Sequence, residues 1–408
     1  MNKRYAIAKD AIFEDCLVTP GAYEGVLERL NNFVTPFFKH FTTRMQREKA
    51  LAYIKGLLSD TERKNVESIA YDHGEDRQPL QLFIGQIDWN DDAILNELGD
   101  QVVKEIGSQN GILVFDPTSF AKKGKRSVGV ERQWCGRYGK LDNCQVAIFL
   151  AYVASGEFML IDRELYLPKS WIDDPVRCRN AGVPTERIVM KTRHLQATEM
   201  LNGRGRKFPH KWVAGDDEMG KVPWFRRGLR DLNEPYMLAV PSNILICDLE
   251  ASVEICENCS QVHERPFINV RQWAKRLPKS RWTKVKVREG HKGWLTLKLV
   301  KCRVLAMIEN EIGEEETLIV SQWREETGDI RYDDYLSWGN ADSNFEEYGR
   351  VIKDAYRIEE CFSRAKGECG LADYQVRNWR GWHHHVTLSM LSLWFLVNEV
   401  RRQKKAYR

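Results

Sequence analysis

No apolar run in this sequence is long enough to cross a bilayer. The most apolar stretch, VTLSMLSLWFLV at 386–397, falls well short of the ~20 residues that a spanning helix needs. It reads as a buried helix, and no membrane partner is expected. The opening residues, MNKRYAIAKDAIFEDC, lack the apolar core of a signal peptide. The ten cysteines follow no framework spacing, so they are expected to be reduced thiols in a soluble, cytoplasmic protein. Net charge is scarce as well. At +4 no overall field announces a polyanionic partner, and any such partner has to be argued from local clusters. There is no internal repeat and no low-complexity segment. What remains is an ordinary globular composition, 43% hydrophobic and 29% charged over 408 residues. That length exceeds one typical core and suggests two or three domains. The thirteen tryptophans are mostly core, though aromatic faces beside basic residues are also where bases stack.

Hydrophobic periodicity divides the chain. Residues 22–105 read as helical, with Leu27, Leu30, Phe33, Phe37, Leu51, Ile54 and Leu58 at three- and four-residue steps. Pro36 breaks the run, and SDTE at 59–62 has the spacing of a capping box. Lys39, Arg44, Arg47, Lys49 and Lys55 accompany these helices, and a solvated face accounts for them. From residue 109 the pattern turns to strands: GILVFD, NCQVAIFLAYVA and EFMLIDRELYL, with Ser155-Gly156 as a tight turn. Helix and strand then alternate through TRHLQATEML, HKWVAGDDEMG, PWFRRGLRDL and PYMLAVP. The fold class is α/β with a mixed sheet. Residues 244–340 alternate polar and apolar residues, as an inserted antiparallel β subdomain would. A helical period returns over 346–367, with Ile358, Phe362 and Ala365 on one face.

The chemistry concentrates at strand ends. In NGILVFDPTSFAKKGKRSVG a buried-looking strand runs into Asp116, and Lys122, Lys123, Lys125 and Arg126 follow in a basic loop. A second predicted strand ends at Asp216-Asp217. Ligands of open α/β sheets bind beyond the strand ends, and carboxylates there can hold Mg2+ together with phosphate oxygens. Two such ions can clamp both oxygens of an in-line phosphoryl displacement. The 346–367 helix offers Glu359 and Glu360 as a third acid. A strand-end aspartate is also a common turn or helix cap, and spacing alone leaves the choice open.

Long blocks in fixed order carry a resemblance. FDPTSFAKKGKRSVGVERQWCGRYGKLDNCQVAIFLAYV, LYLPKSWIDDPVRCRNAGVP, KWVAGDDEMG and IEECFSRAKGECGLADYQVRNWRGWHHHVTLSML closely resemble successive blocks of bacterial insertion-sequence transposases of the DDE type. The resemblance implies an RNase H-like mixed five-stranded sheet whose acidic triad, here Asp116, Asp216 and Glu359, is catalytic and binds two Mg2+ ions, with Mn2+ able to substitute. Asp216 follows Asp116 by 100 residues and Glu359 follows Asp216 by 143. The second interval is long because this branch inserts a β-rich subdomain there. Lys366 keeps the family's spacing after the glutamate and is implied to touch DNA. The family's arginine and tyrosine before that glutamate are replaced by Ala355 and Ile352, with Lys353 or Arg357 as substitutes for the charge.

The organisation expected is a helical DNA-binding region over 1–105, the first part of the catalytic core over 106–243, the β insertion over 244–340, and the rest of the core with a C-terminal helix over 341–408. The activity implied is binding of inverted-repeat ends in double-stranded DNA, cleavage, and joining of 3′-hydroxyls to target DNA. A homodimer on paired ends and a nucleoid location go with it. Two alternatives are a metal-dependent endonuclease without strand transfer and a non-cutting DNA-binding descendant. The basic loop 122–126 is suited to the DNA backbone. Trp294, in the basic insertion, matches relatives that stabilise a flipped base, although core packing is the plainer role for it and for Trp282. Cys256, Cys259 and His263 make half a zinc site without a second compact pair. His383, His384 and His385 read as packed or solvated rather than as ligands.

Overall fold

The helical period over 22–105 is realised as separate α-helices over Val26–Val34, Arg44–Leu57, Val66–Asp72, Arg77–Gly85 and Asp91–Ile106. The computed structural model describes residues 24–251, 266–290, 293–324, 329–340 and 343–406, with the side chains of 288–295 and 404–406 outside that description. Pro36 acts as expected: the first helix gives way to a tighter 3-10 turn over Thr35–His40. The capping box at Ser59 does not form. Its hydroxyl donates to the Gly56 carbonyl at 2.8 Å, closing the helix that has just ended. The next helix starts under Asn65, whose side chain accepts from the Glu67 and Ser68 N–H groups. The true box joins Thr43 and Gln46. An identical spacing therefore serves either end of a helix, according to which orphaned backbone groups lie nearby.

These helices surround the last one, Trp379–Ala406. The stretch 386–397 is buried within it almost throughout, as its composition requires. Arg29 pairs with Glu399 at 2.6 Å, Asn378 donates to the Gly85 carbonyl at 2.6 Å, and the His384 ring stacks on Trp89 with centroids 3.6 Å apart. One hydrophobic cluster runs from Leu30 through the central strands to Val397. Among the described residues no helix is long and apolar enough to cross a membrane.

The first strands are β1 (Ile112–Ala121), β2 (Glu131–Cys135), β3 (Lys140–Ala154) and β4 (Glu157–Leu165), followed by β5 (Trp212–Gly215) and β6 (Tyr236–Val240). β1 pairs antiparallel with β3, which also carries β2 and β4, and parallel with β5, which pairs parallel with β6. Helices cover these strands, so Ile112–Phe115 is at most 2% exposed, as the unbroken apolar run predicts. Ser155 and Gly156 turn β3 into β4 with φ of 53° and 81°, the left-handed pair that a tight hairpin needs.

Two elements differ from expectation. β1 does not stop at Asp116 but continues to Ala121 on β3 alone, because its β5 partner ends where Phe115 meets Gly215. Pro117 lacks an N–H and is tolerated where β1 has lost that neighbour. The helix over 346–367 is two helices, Phe345–Ala355 and Arg357–Gly367, with a tightened turn at Tyr356 whose carbonyl accepts from the Glu359 N–H.

The region 244–340 is antiparallel β structure: β7 (Leu245–Asp248), β8 (Ile268–Asn269), β9 (Thr283–Gly290), β10 (Gly293–Ile308), β11 (Glu311–Arg324) and β12 (Ile330–Trp338). It does not form a separate sheet. β12 pairs with β6, so one mixed sheet of twelve strands runs through the described residues. A second hydrophobic cluster, including Ile246, Val300 and Leu318, lies within it.

Candidate active site

Asp116 is the first β1 residue beyond the parallel ladder, and Asp216 is the first residue after β5. The two carboxylates thus leave adjacent strands at the same edge. Asp216 also caps the short helix Asp217–Gly220, accepting from the Met219 N–H at 3.1 Å. The capping and site roles raised by the sequence therefore coexist in one side chain. Gly220 lets this helix lie against β6: a Cβ there would overlap the Ala239 carbonyl oxygen. Glu359 lies in the first turn of Arg357–Gly367, and Lys366 in its last. The Lys366 ammonium donates to Thr118 Oγ1 at 2.7 Å, two residues past Asp116.

Electrostatics show which groups share the site. Burial first, and then the negative charges of Asp216 and Glu359, push the Asp116 carboxyl well above the usual range, with Lys366 acting in the opposite direction. Asp216 is raised to about 7, mainly by burial, against the Met219 N–H and the Arg193 guanidinium. Burial lowers Lys366 despite the nearby Asp116 and Glu359. The structure thus brings Asp116, Asp216, Glu359 and Lys366 into one field. Among the described residues no three His, Cys, Asp or Glu side chains already enclose a metal position. The donor set nevertheless suits a hard divalent cation: oxygen ligands, clustered like charge, and carboxyls costly to ionise without a counter-charge. Of the neighbouring acids, Asp217 is exposed, and Glu360 is paired with Arg357 at 3.3 Å.

The basic loop divides. Lys123, Lys125 and Arg126 are exposed. Lys122 is not part of that cluster. Its ammonium turns inward, 3.2 Å from the Tyr374 carbonyl oxygen and 3.4 Å from that ring's centre, and burial lowers its pKa to about 7. The Trp294 side chain and the segment holding Cys256, Cys259 and His263 lie outside the described residues. Trp282 packs on Tyr332 with ring centroids 6.1 Å apart.

The sequence reading missed the groups behind Asp216. Arg193 pairs with Glu218 at 2.6 Å, and His194 Nε2 donates to the Glu218 carbonyl at 2.9 Å, which fixes the turn that follows β5. Arg226 is deeply buried. It donates to Glu316 on β11 at 2.9 Å and to the Gly220 carbonyl at 2.5 Å, and the Tyr236 hydroxyl also donates to Glu316. Sequence patterning marks Arg226 only as one of several basic residues on an amphipathic helix.

Residues 36–254 match the family model described as DDE superfamily endonuclease. The chain belongs to this family. Its match contains Asp116 and Asp216 and ends before Glu359. The chain is also 27% identical over 212 residues to a probable transposase for insertion sequence element IS701 from Microchaete diplosiphon. That alignment covers 51% of this chain and 52% of the relative, so the chain spans about half the length of the curated relative it matches.

One prediction about this DDE superfamily endonuclease arises from the Arg226 bridge. Arg226→Met should cost about 3 kcal/mol, because it takes the fully buried guanidinium from Glu316 and leaves that carboxylate only the Tyr236 hydroxyl and the more distant Arg230 at 3.6 Å. Arg226→Met with Glu316→Leu should recover most of that loss. Urea unfolding of both variants checks this; equal losses would mean that Arg226 acts through packing alone.

Proposed function

We propose that this chain is a DNA transposase that binds the inverted-repeat ends of its element, cleaves them, and joins the 3′-hydroxyls to target DNA. The observation that carries the reading is the shared field of Asp116, Asp216 and Glu359 at one edge of the parallel strands, with Lys366 beside them. In this reading strands β4-β3-β1-β5-β6 are the five-stranded RNase H-like core, and the three acids would hold two Mg2+ ions. Bound there, the ions would supply Lewis-acid stabilisation to an in-line phosphoryl displacement. The chain's own residues do the rest. The Asp217–Gly220 helix holds Asp216 in place, the kinked helix presents Glu359, and Lys123, Lys125 and Arg126 meet the phosphate backbone. The helical N-terminal region contributes end recognition, and a homodimer brings two ends together.

The test is a cleavage and joining assay with DNA carrying the repeats that flank the gene, with and without Mg2+. Cuts at the repeat boundary and joined products, both lost in Asp216→Asn while end binding survives, support the reading. The family description favours a second reading, an endonuclease without strand transfer. Metal-dependent cuts with no joined product would select it. Normal cutting by Asp216→Asn would mean that the site is wrongly assigned.

A further inference from the structure

The β2–β3 hairpin stands beside this site with an unusual surface. Trp134 is 58% exposed, Tyr138 50% and Leu141 59%, and Trp134 and Leu141 face each other across the two strands. The opposite face accounts for why the hairpin folds: Cys135, Cys144 and Val146 are buried there against Ala121 and Tyr166. Nothing in that packing requires an outward tryptophan. Large aromatics left in water this way are common at binding surfaces, where one ring covers much area with little loss of rotamer freedom.

The surroundings indicate what the surface meets. The hairpin turn lies over β1, with the Arg137 N–H donating to Ser119 Oγ at 3.4 Å, next to the Thr118 that accepts from Lys366. The Arg137 charge is felt at Lys366 itself. Arg137 and Lys140 each sit 5.9 Å from the centre of the Tyr138 ring, and Arg132 is exposed on the same strand as Trp134. At the hairpin's base, Asn143 donates to the Lys122 and Gly124 carbonyls at 2.6 and 3.0 Å. The exposed Lys123, Lys125 and Arg126 are therefore tied to the same structure. Aromatic rings interleaved with cations suit a polyanion with flat bases better than they suit a second protein surface.

We infer that the 131–144 hairpin is a stacking platform for unpaired bases of the DNA strand beside the cut, with Trp134 and Tyr138 as the stacking rings and Arg132 and Arg137 on the flanking phosphates. The inference rests on the proposed DNA-cutting role but makes a claim of its own. A hairpin that holds bases out of the helix favours single strands, whereas a purely electrostatic surface does not distinguish rings from other side chains of equal charge.

The experiment measures binding of the full-length protein, in EDTA, to labelled oligothymidylate of roughly 16 nucleotides and to a duplex of the same length. Trp134→Ala and Tyr138→Ala should each weaken single-strand binding roughly 5- to 100-fold and duplex binding much less, with Trp134→Phe restoring most of the loss. Both side chains are exposed, and unchanged melting curves confirm that the variants are folded. Wild-type affinity in both alanine variants, or no single-strand binding by the wild type, overturns the platform. A change in oligomeric state without a change in DNA binding also overturns it and assigns the face to a second copy of the chain. Metal-dependent cutting by the same wild-type preparation is scored separately. Cutting without ring-dependent binding therefore removes the platform and leaves the nuclease reading intact, while ring-dependent binding without cutting removes the nuclease reading and leaves only a single-strand-binding surface.

Discussion

Replacing Asp116 by Asn should reduce DNA cleavage by on the order of 10³-fold or more and, in the same molecule, make the metal-free protein more stable. Both effects come from one arrangement. Asp116 is raised well above the ordinary carboxylate range by burial and by the charges of Asp216 and Glu359. A carboxyl whose folded pKa lies above its unfolded value stabilises the fold below the unfolded pKa, near 4, and loses that contribution as pH rises through the folded value. Without metal the wild type bears more of this repulsion as pH rises, and Asn removes it, a gain of about 1–3 kcal/mol. Thermal melts in EDTA at pH 5 and pH 8 check the sign: the variant's advantage should grow with pH. Adding Mg2+ should raise the wild-type melting temperature and leave the variant nearly unmoved. A variant less stable than wild type at both pH values would mean that Asp116 is held by favourable contacts rather than by mutual repulsion.

Elements with strong periodicity were legible in the sequence, and interactions between distant segments were not. The run at 112–115, the Ser155-Gly156 turn and the stretch 386–397 each announce themselves through local composition, and each is found where it was expected. The extension of β1 past Asp116 was hidden because Pro117 argues against a strand; only the loss of the β5 neighbour makes it acceptable. The kink at Tyr356 has no proline or glycine to mark it. β2 was missed because its outward face, with Arg132 and Trp134, resembles a loop until the cysteines behind it are seen to pack. Candidate acids at 116, 216 and 359 could be named from strand ends and from resemblance. The inward turn of Lys122 onto Tyr374 and the Arg226–Glu316 bridge depend on partners 252 and 90 residues away. No spacing rule reaches that far.

Mild acid should unfold this protein, and the last helix explains why. His383 and His385 are buried, and burial first of all lowers the pKa of each to about 3. The contacts of His385 also fix it as neutral. Nε2 donates to the Gly370 carbonyl at 3.0 Å, and Nδ1 accepts from the Tyr53 hydroxyl at 2.8 Å; a second proton would remove that acceptor. His383 Nδ1 donates to the Trp379 carbonyl one turn earlier. In the unfolded chain both rings take up protons near pH 6.5, so between pH 6.5 and about 3 the unfolded state holds the extra protons and stability falls with pH. Each histidine contributes about 1.4 kcal/mol per pH unit, or roughly 4 kcal/mol for the pair by pH 5. His384 adds to this slope: burial lowers it to about 4, against the Ile84 and Trp89 carbonyls that its two nitrogens face. Urea midpoints measured from pH 7.5 down to pH 5 should show the loss. His385→Gln, whose amide can still accept from Tyr53 and donate to Gly370, should remove about a third of the slope that the three histidines supply. Because this same helix packs against both the N-terminal helices and β4, the packing between them should loosen in the same acid transition. A midpoint that stays flat down to pH 5 would mean that these imidazoles reach water in the native state.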